Sequence, residues 1–315
     1  MLRYTLRRFG FLLLTLVLTS IIIFVIAQVL PGDVARVLLG REAPESAVQA
    51  LRVKLGLNDP LPVQYGRWLF KFVQGDWGES FSQQGRAIRP LVLERLTRSI
   101  WLAGITLVIS VPLAILLGVL AGLNAGRPID GVISVSSLAL VGLPEFVTGI
   151  VLTNVLAYQL GWFPASSLVS PKASFQDTLP SLWLPAITAT LVLLAYVIRL
   201  TRAGVIEVLK KAYVRTAVLK GLPWRQVITS HVLRNALLPT ITVVAISFGW
   251  LISGLVVIEN VYAYPGLGSL MSFAVARRDL PLMEAIAMMA VVFYTLANLA
   301  ADLLYAWLNP RIRLE

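Results

Sequence analysis

Six stretches of the chain stay apolar for about twenty residues or more, and polar segments of unequal length separate them. They are Phe9–Leu30, Ser99–Leu123, Gly131–Leu160, Leu182–Leu200, Ala236–Ile258 and Met283–Leu304. Each, as a helix, crosses a hydrocarbon layer about 30 Å thick. Pro112 lies inside the second stretch and Pro144 inside the third. A proline removes one ladder hydrogen bond and bends a helix, which membrane helices tolerate where neighbours satisfy the freed carbonyl. The pattern predicts an all-α integral membrane protein with six transmembrane helices.

The intervening segments differ in kind. Residues 31–98 are too polar to span, and amphipathic helices are expected near Pro44–Leu55 and Leu61–Val73. Gly161–Pro180 and the Gly/Pro-rich Glu259–Leu282 are short by comparison. Arg199–Pro239 is the long polar interruption of the C-terminal half. Within it Val205, Val208, Leu209, Ala212 and Tyr213 recur at helical spacing, and Gly221 and Pro223 stop the helix. A second helical piece, Trp224 to Leu233, leads into the fifth span.

Charge orients these elements. Arg199–Pro239 carries Arg199, Arg202, Lys210, Lys211, Arg215, Lys220, Arg225 and Arg234 against one acid, Glu207. Arg3, Arg7 and Arg8 precede the first span, and Arg311 and Arg313 follow the last. With an even number of spans both ends share a side, and the positive-inside tendency puts them and the basic loop in the cytoplasm. Residues 31–98 then lie outside. The first apolar run is too long for a secretory signal core and no clear small-residue cleavage site follows, so a retained helix is expected.

Composition narrows the chemistry. The chain has 315 residues, 57% hydrophobic and only 14% charged, against roughly a quarter charged in soluble domains. Its net charge of +11 is explained by topology, because the basic clusters sit beside spans. There is no cysteine and a single histidine, His231, in the basic loop, so a metal site or a Cys- or His-based catalytic centre is not expected. Neither a phosphate-binding Gly-x-x-x-x-Gly-Lys-Ser/Thr pattern nor a Gly-x-Ser-x-Gly elbow is present. ATP-powered work would need another chain.

Tyr213-Val214-Arg215-Thr216-Ala217, then Gly221, then Arg234-Asn235-Ala236-Leu237-Leu238-Pro239 resembles the cytoplasmic signature loop of ABC-importer permeases, most closely the dipeptide/oligopeptide (peptide/nickel) branch. Arg215 and Thr216 stand where the general pattern has Glu and Ala, and the gap to Leu-Pro is longer, departures that the peptide branch shares. Leu30-Pro31-Gly32-Asp33, Leu55–Leu61, Gln64-Tyr65, Gln74–Ser80, Glu259 with Tyr264-Pro265-Gly266-Leu267-Gly268, and Asn309-Pro310-Arg311-Ile312-Arg313 are similar to that branch too. The resemblance implies the type I importer permease fold with a cytoplasmic coupling helix. It divides the chain into 1–30 with the first helix, an extracytoplasmic 31–98, and a permease core 99–315 with its coupling loop at about 203–235.

It also implies the partners. These are a second homologous permease, two ATP-binding subunits that hold ATP and Mg, and an extracytoplasmic solute-binding protein. This chain would hold no cofactor. Di- or oligopeptides are the implied cargo, with nickel chelate, glutathione or oligosaccharide as alternatives and an ion-coupled secondary transporter as the alternative of another class. The implied ATPase-coupling residues are Glu207, Tyr213, Val214, Arg215, Thr216, Ala217, Lys220 and Gly221. Val214, Ala217 and Val218 would fill a groove on the ATPase, Arg215 and Lys220 would meet acids on its rim, Glu207 would pair locally, and Gly221 would permit the return turn.

Pro144 and Glu145 mark the candidate translocation path, because an ionisable group in mid-span is costly and faces a cavity or a partner. A structural pairing is the other reading of Glu145. Asp302 is expected to tie to Arg199 or Arg202, and Gln28 and Asn154 to form interhelical hydrogen bonds. Residues 31–98 read either as a packed cap or as a docking surface, and Glu259–Leu282 either as a re-entrant plug or as a plain external turn.

Overall fold

The computed structural model describes residues 2–29, 36, 39, 42–83, 85–170 and 173–308. Leu30-Pro31-Gly32-Asp33 and Asn309–Arg313, which resemble the peptide branch, lie outside the described residues. Helix α1 (Leu2–Val29) is followed by α2 (Glu45–Leu55), α3 (Leu61–Gln74) and an antiparallel ribbon of β1 (Glu79–Ser80) with β2 (Arg86–Ala87), paired Glu79 to Ala87 and Ser80 to Arg86. Then come α4 (Ile88–Leu123), α5 (Pro128–Gly142), α6 (Glu145–Gln159, its second half π-helical) and α7 (Phe175–Leu209). The remainder is α8 (Ala212–Leu219), α9 (Trp224–Ala236, with a π-helical middle), α10 (Leu238–Gly254), α11 (Val256–Val261), α12 (Leu267–Arg277) and α13 (Leu280–Leu308).

Four helices are long and apolar enough to cross a membrane singly, and the pairs α5/α6 and α9/α10 bring the number to six when each bent pair is one span. The expected six spans are therefore present, with altered outlines. Pro144 breaks the third: α5 and α6 meet at 104°. The Pro144 carbonyl accepts from Val147 N at 3.0 Å and Thr148 N at 3.1 Å, so it closes the first turn of α6 and does not kink a continuous helix. The second and fourth spans start earlier than their apolar runs, and the fourth also ends later, because helix continues through polar ends that hydropathy does not mark. Ser174 and Asp177 start α7 as a reciprocal capping box.

The core lies between α4 and α7. A side chain at Gly118 would collide with Thr201 and the Ile198 carbonyl, and one at Gly122 with Val205. These glycines let the two backbones close, as small residues do in membrane bundles. The polar segment after α1 packs onto this core. Asp279 accepts Ser80 Oγ at 2.6 Å, Ser82 N at 2.9 Å and Ser82 Oγ at 2.7 Å, and its other oxygen caps α13 through Leu282 N at 3.3 Å. One carboxylate thus fastens the ribbon to the start of the last span.

The bundle has two distinct faces. Arg8 pairs with Asp302 at 3.0 Å on the face that carries α8. Residues 42–83, α12 and the start of α13 occupy the opposite face.

Candidate functional site

The helix α8 is amphipathic, and its apolar stripe points inward. Val214 and Ala217 pack with Val205, Val208, Val227, Val232 and Ala236 in a small core beneath the bundle. This corrects the expectation that both would fill a partner's groove: the isolated loop needs that stripe to hold α8 against α7 and α9. Tyr213, Arg215, Thr216, Val218, Leu219 and Lys220 stay exposed, Leu219 at 79%. Asn235 donates to the Tyr213 hydroxyl at 3.0 Å, which links the two ends of the signature stretch. Gly221 ends α8 with φ +76°, the left-handed conformation that glycine adopts without strain. Glu207 pairs with Lys211 at 2.8 Å, a local pair as expected.

Above α8 the first turn of α5 is fixed to α7. Arg202 grips Asp130 with Nε at 2.5 Å and Nη2 at 2.7 Å, a fork on a carboxylate that also accepts from Gly126 N and Ser134 Oγ. Asp302 was expected to meet Arg199 or Arg202. It meets Arg8 instead, because Asp130 already occupies Arg202.

Arg199 is left lining a cavity of about 610 Å³ with Ser134, Leu138 and Tyr196. Tyr196 is shared with a second cavity of about 390 Å³, walled by Ser247, Trp250 and Tyr294. Tyr196 and Trp250 are 57% and 46% exposed inside spans, a large aromatic surface with no intramolecular cover. Sequence reasoning missed this wall. Its only signal was three aromatics in three separate spans, which single-helix periodicity does not join.

Glu145 sits in the first turn of α6, where a carboxylate complements the positive end of the helix. It makes no ion pair or side-chain hydrogen bond among the described residues. Asn154 accepts from Gln159 of its own helix at 2.8 Å, so it is not the interhelical bond expected.

Glu259 is fully buried among donors. Ser99 Oγ reaches Oε1 at 2.6 Å and Ser269 N reaches Oε2 at 2.8 Å, while Ser99 also accepts from Leu267 N at 2.8 Å. Burial pushes the Glu259 carboxyl up to about 7, and the Ser99, Ser269 and Gly268 donors with Arg95 hold it from rising further. A side chain at Gly266 would run into this carboxylate, and one at Gly268 into Val256, which explains both glycines. Tyr264 is buried too and donates to the Arg98 carbonyl at 2.8 Å. Glu259–Leu282 is therefore a packed helical inset, α12, and not a plain turn. No cluster of three metal-ligating side chains occurs among the described residues.

Comparison with known proteins agrees with this architecture. Residues 114–314 match the family described as binding-protein-dependent transport system inner membrane component, and residues 1–97 match its N-terminal companion. The chain is 34% identical over 310 residues to a probable peptide ABC transporter permease protein of Sinorhizobium fredii, covering 98% of this chain and 99% of the relative. It is 34% identical over 313 residues to a glutathione transport system permease protein of Escherichia coli, covering 99% of each. An amino acid ABC transporter crystal structure shares the fold at TM-score 0.52 and 17% identity, over 70% of this chain and 94% of the other.

Proposed function

Because the chain belongs to the family of binding-protein-dependent transport system inner membrane components, we propose that it builds half of the translocation path of an ATP-driven importer for di- and oligopeptides. It is a multi-pass ABC importer permease subunit of the inner membrane, a family of transport subunits that are generally not catalytic. The observation that carries the peptide reading is the match along nearly the whole chain to a peptide permease. The glutathione permease match is as long, and glutathione is itself a short peptide, so glutathione is the second reading.

The assembly comprises this chain, a homologous second permease, two ATPase subunits that bind ATP and Mg, and a solute-binding protein on the outer side. Both termini and α8 face the cytoplasm, a reading that the basic residues in the first turns of α1 and around α8 support. The exposed face of α8, from Tyr213 through Arg215, Thr216, Val218 and Leu219 to Lys220, seats in an ATPase groove. When ATP draws the two ATPases together, α8 moves with its seat and carries α7 and α9, to which it is packed. The wall of Tyr196, Trp250 and Tyr294 faces the second permease across the path. Aromatic faces with a few hydroxyls suit peptides of varied side chain, and Arg199 at the inner end attracts a peptide carboxylate.

The deciding experiment is ATP-driven uptake in proteoliposomes holding the co-expressed assembly, with labelled dipeptide, oligopeptide and glutathione in parallel. Vanadate-sensitive peptide uptake is expected. Uptake of glutathione alone would replace the cargo. Uptake driven by an ion gradient without ATPase subunits would overturn the reading in favour of a secondary transporter.

A further inference from the structure

The polar segment after α1 does not simply cap the bundle; it encloses a cavity with α1 and α13. Aromatic side chains run in one row from α1 to the ribbon. Phe24 lies 5.6 Å from Tyr65 and 5.8 Å from Trp68, Trp68 lies 5.9 Å from Phe72, and Phe72 stacks on Trp77 at 5.0 Å. Behind this row is a space of about 300 Å³, in the range of small-molecule sites. Its charged lining carries both signs. Glu284, one turn into α13, lines the cavity with Trp68, while Arg67, Lys71 and Asp76 come from α3 and the residues after it. Arg67 is held by Asp59, but neither Glu284 nor Lys71 has an ion-pair partner among the described residues.

The depth of this cavity says what enters it. Tyr65 of α3 bonds Ser20 of α1 at 2.8 Å. Ser20 stands eight residues in from the Gln28 end of the span, about 12 Å along the helix axis. The Tyr65 hydroxyl therefore reaches to the depth of one leaflet, and α3 lies against the outer end of α1. The outward side chains of α3 agree, since Val63, Phe70 and Val73 are 50%, 65% and 77% exposed and suit contact with lipid chains.

We propose that this cavity seats the headgroup of one aminophospholipid. The lipid's ammonium lies on Glu284 among the faces of Trp68, Phe72 and Trp77. Its phosphate lies on Lys71 and Arg67, and its acyl chains run down the lipid-facing side of α1. A lining that offers an acid, aromatic faces and two cations matches a zwitterion whose two charges are a short linker apart. An anionic headgroup without an amine would leave Glu284 unpaired. The proposal does not depend on which solute the importer carries.

The test is native mass spectrometry of the detergent-purified assembly. It is titrated in parallel with dioleoyl phosphatidylethanolamine, dioleoyl phosphatidylglycerol and free phosphoethanolamine. One ethanolamine lipid should bind with at least about tenfold lower Kd than the glycerol lipid, a difference of about 1.4 kcal/mol. Glu284→Gln should abolish that preference, and Lys71→Gln should weaken both lipids while leaving the preference in place. Equal affinity for the two lipids, or a preference that survives Glu284→Gln, would overturn the proposal. So would free phosphoethanolamine binding as tightly as the lipid, which would make this a site for a soluble ligand. Should Glu284→Gln fail to assemble, the exposed Lys71→Gln decides: unchanged binding of both lipids rejects the site. Peptide uptake measured on the same preparations separates loss of the lipid from loss of transport.

Discussion

Glu259 is the residue on which the inset after α11 is built. Its folded pKa of about 7 stands above the ordinary 4.5, so folding takes up a proton between those values. The stability tied to that proton is full below about pH 4.5 and is lost as pH rises through about 7. Thermal unfolding of the purified assembly from pH 5 to 8 should show this slope, and Glu259→Gln should flatten it. The amide also turns an N–H toward Ser99 or Ser269, which already donate there, at a pH-independent cost on the order of 1–3 kcal/mol. The Asp130–Arg202 fork invites a second measurement. Asp130→Asn leaves a charged guanidinium beside a neutral amide, a change that costs about 3–5 kcal/mol when a pair is buried. Arg202 retains 33% exposure, which brings the expected loss toward the lower end. An unchanged unfolding temperature would show that the fork contributes nothing.

Among the elements, α8 separates two functions on two faces. Leu219→Asp and Arg215→Glu change only the exposed face. They should leave folding and assembly of the permeases intact while lowering ATP-driven uptake by about tenfold or more, a loss of about 1.4 kcal/mol of coupling. Val214→Asp places a carboxylate in the small core with Val205 and Val227, and it should reduce the amount of folded protein before any effect on transport can be read. If Leu219→Asp transports normally, this face is not the seat. The spacing Val205, Val208, Leu209, Ala212 and Tyr213 predicts a single helix, whereas the first three residues end α7 and only Ala212 and Tyr213 belong to α8, so the spacing shows helix here without showing the break at Lys210–Lys211. The direction of the α8 stripe was not legible, because an amphipathic helix shows that one face is covered without showing by what. The same limit explains Asp302. A lone acid near a helix end predicts a cation partner, and only the packing of α1 on α13 selects Arg8.

At the scale of the whole molecule, six spans and their order were legible, since apolar run length is read directly against bilayer thickness. The 104° break at Pro144 was legible only as an interruption, because proline specifies a lost hydrogen bond and not a bend angle. The wall proposed to line the path was the least legible part: Tyr196, Trp250 and Tyr294 come from α7, α10 and α13 and meet only in the fold. Glu145 tests how far the path extends. If it contacts the cargo, Glu145→Gln should lower uptake of peptides with a free N-terminus and spare N-acetylated ones. Equal uptake of both by the variant and the parent would confine Glu145 to the start of α6.

The helix α7 has 35 residues, about 52 Å of continuous helix with Pro180 and Pro185 near its outer end, in a layer about 30 Å thick. Thr188 meets the Tyr262 hydroxyl at 2.7 Å, thirteen residues from one end of the helix and twenty-one from the other. Treated as a lever with its fulcrum there, α7 has arms of about 20 Å and about 32 Å. A stroke delivered at the α8 end then arrives at the far end reversed in direction and reduced to about six-tenths of its travel, with the force raised in proportion.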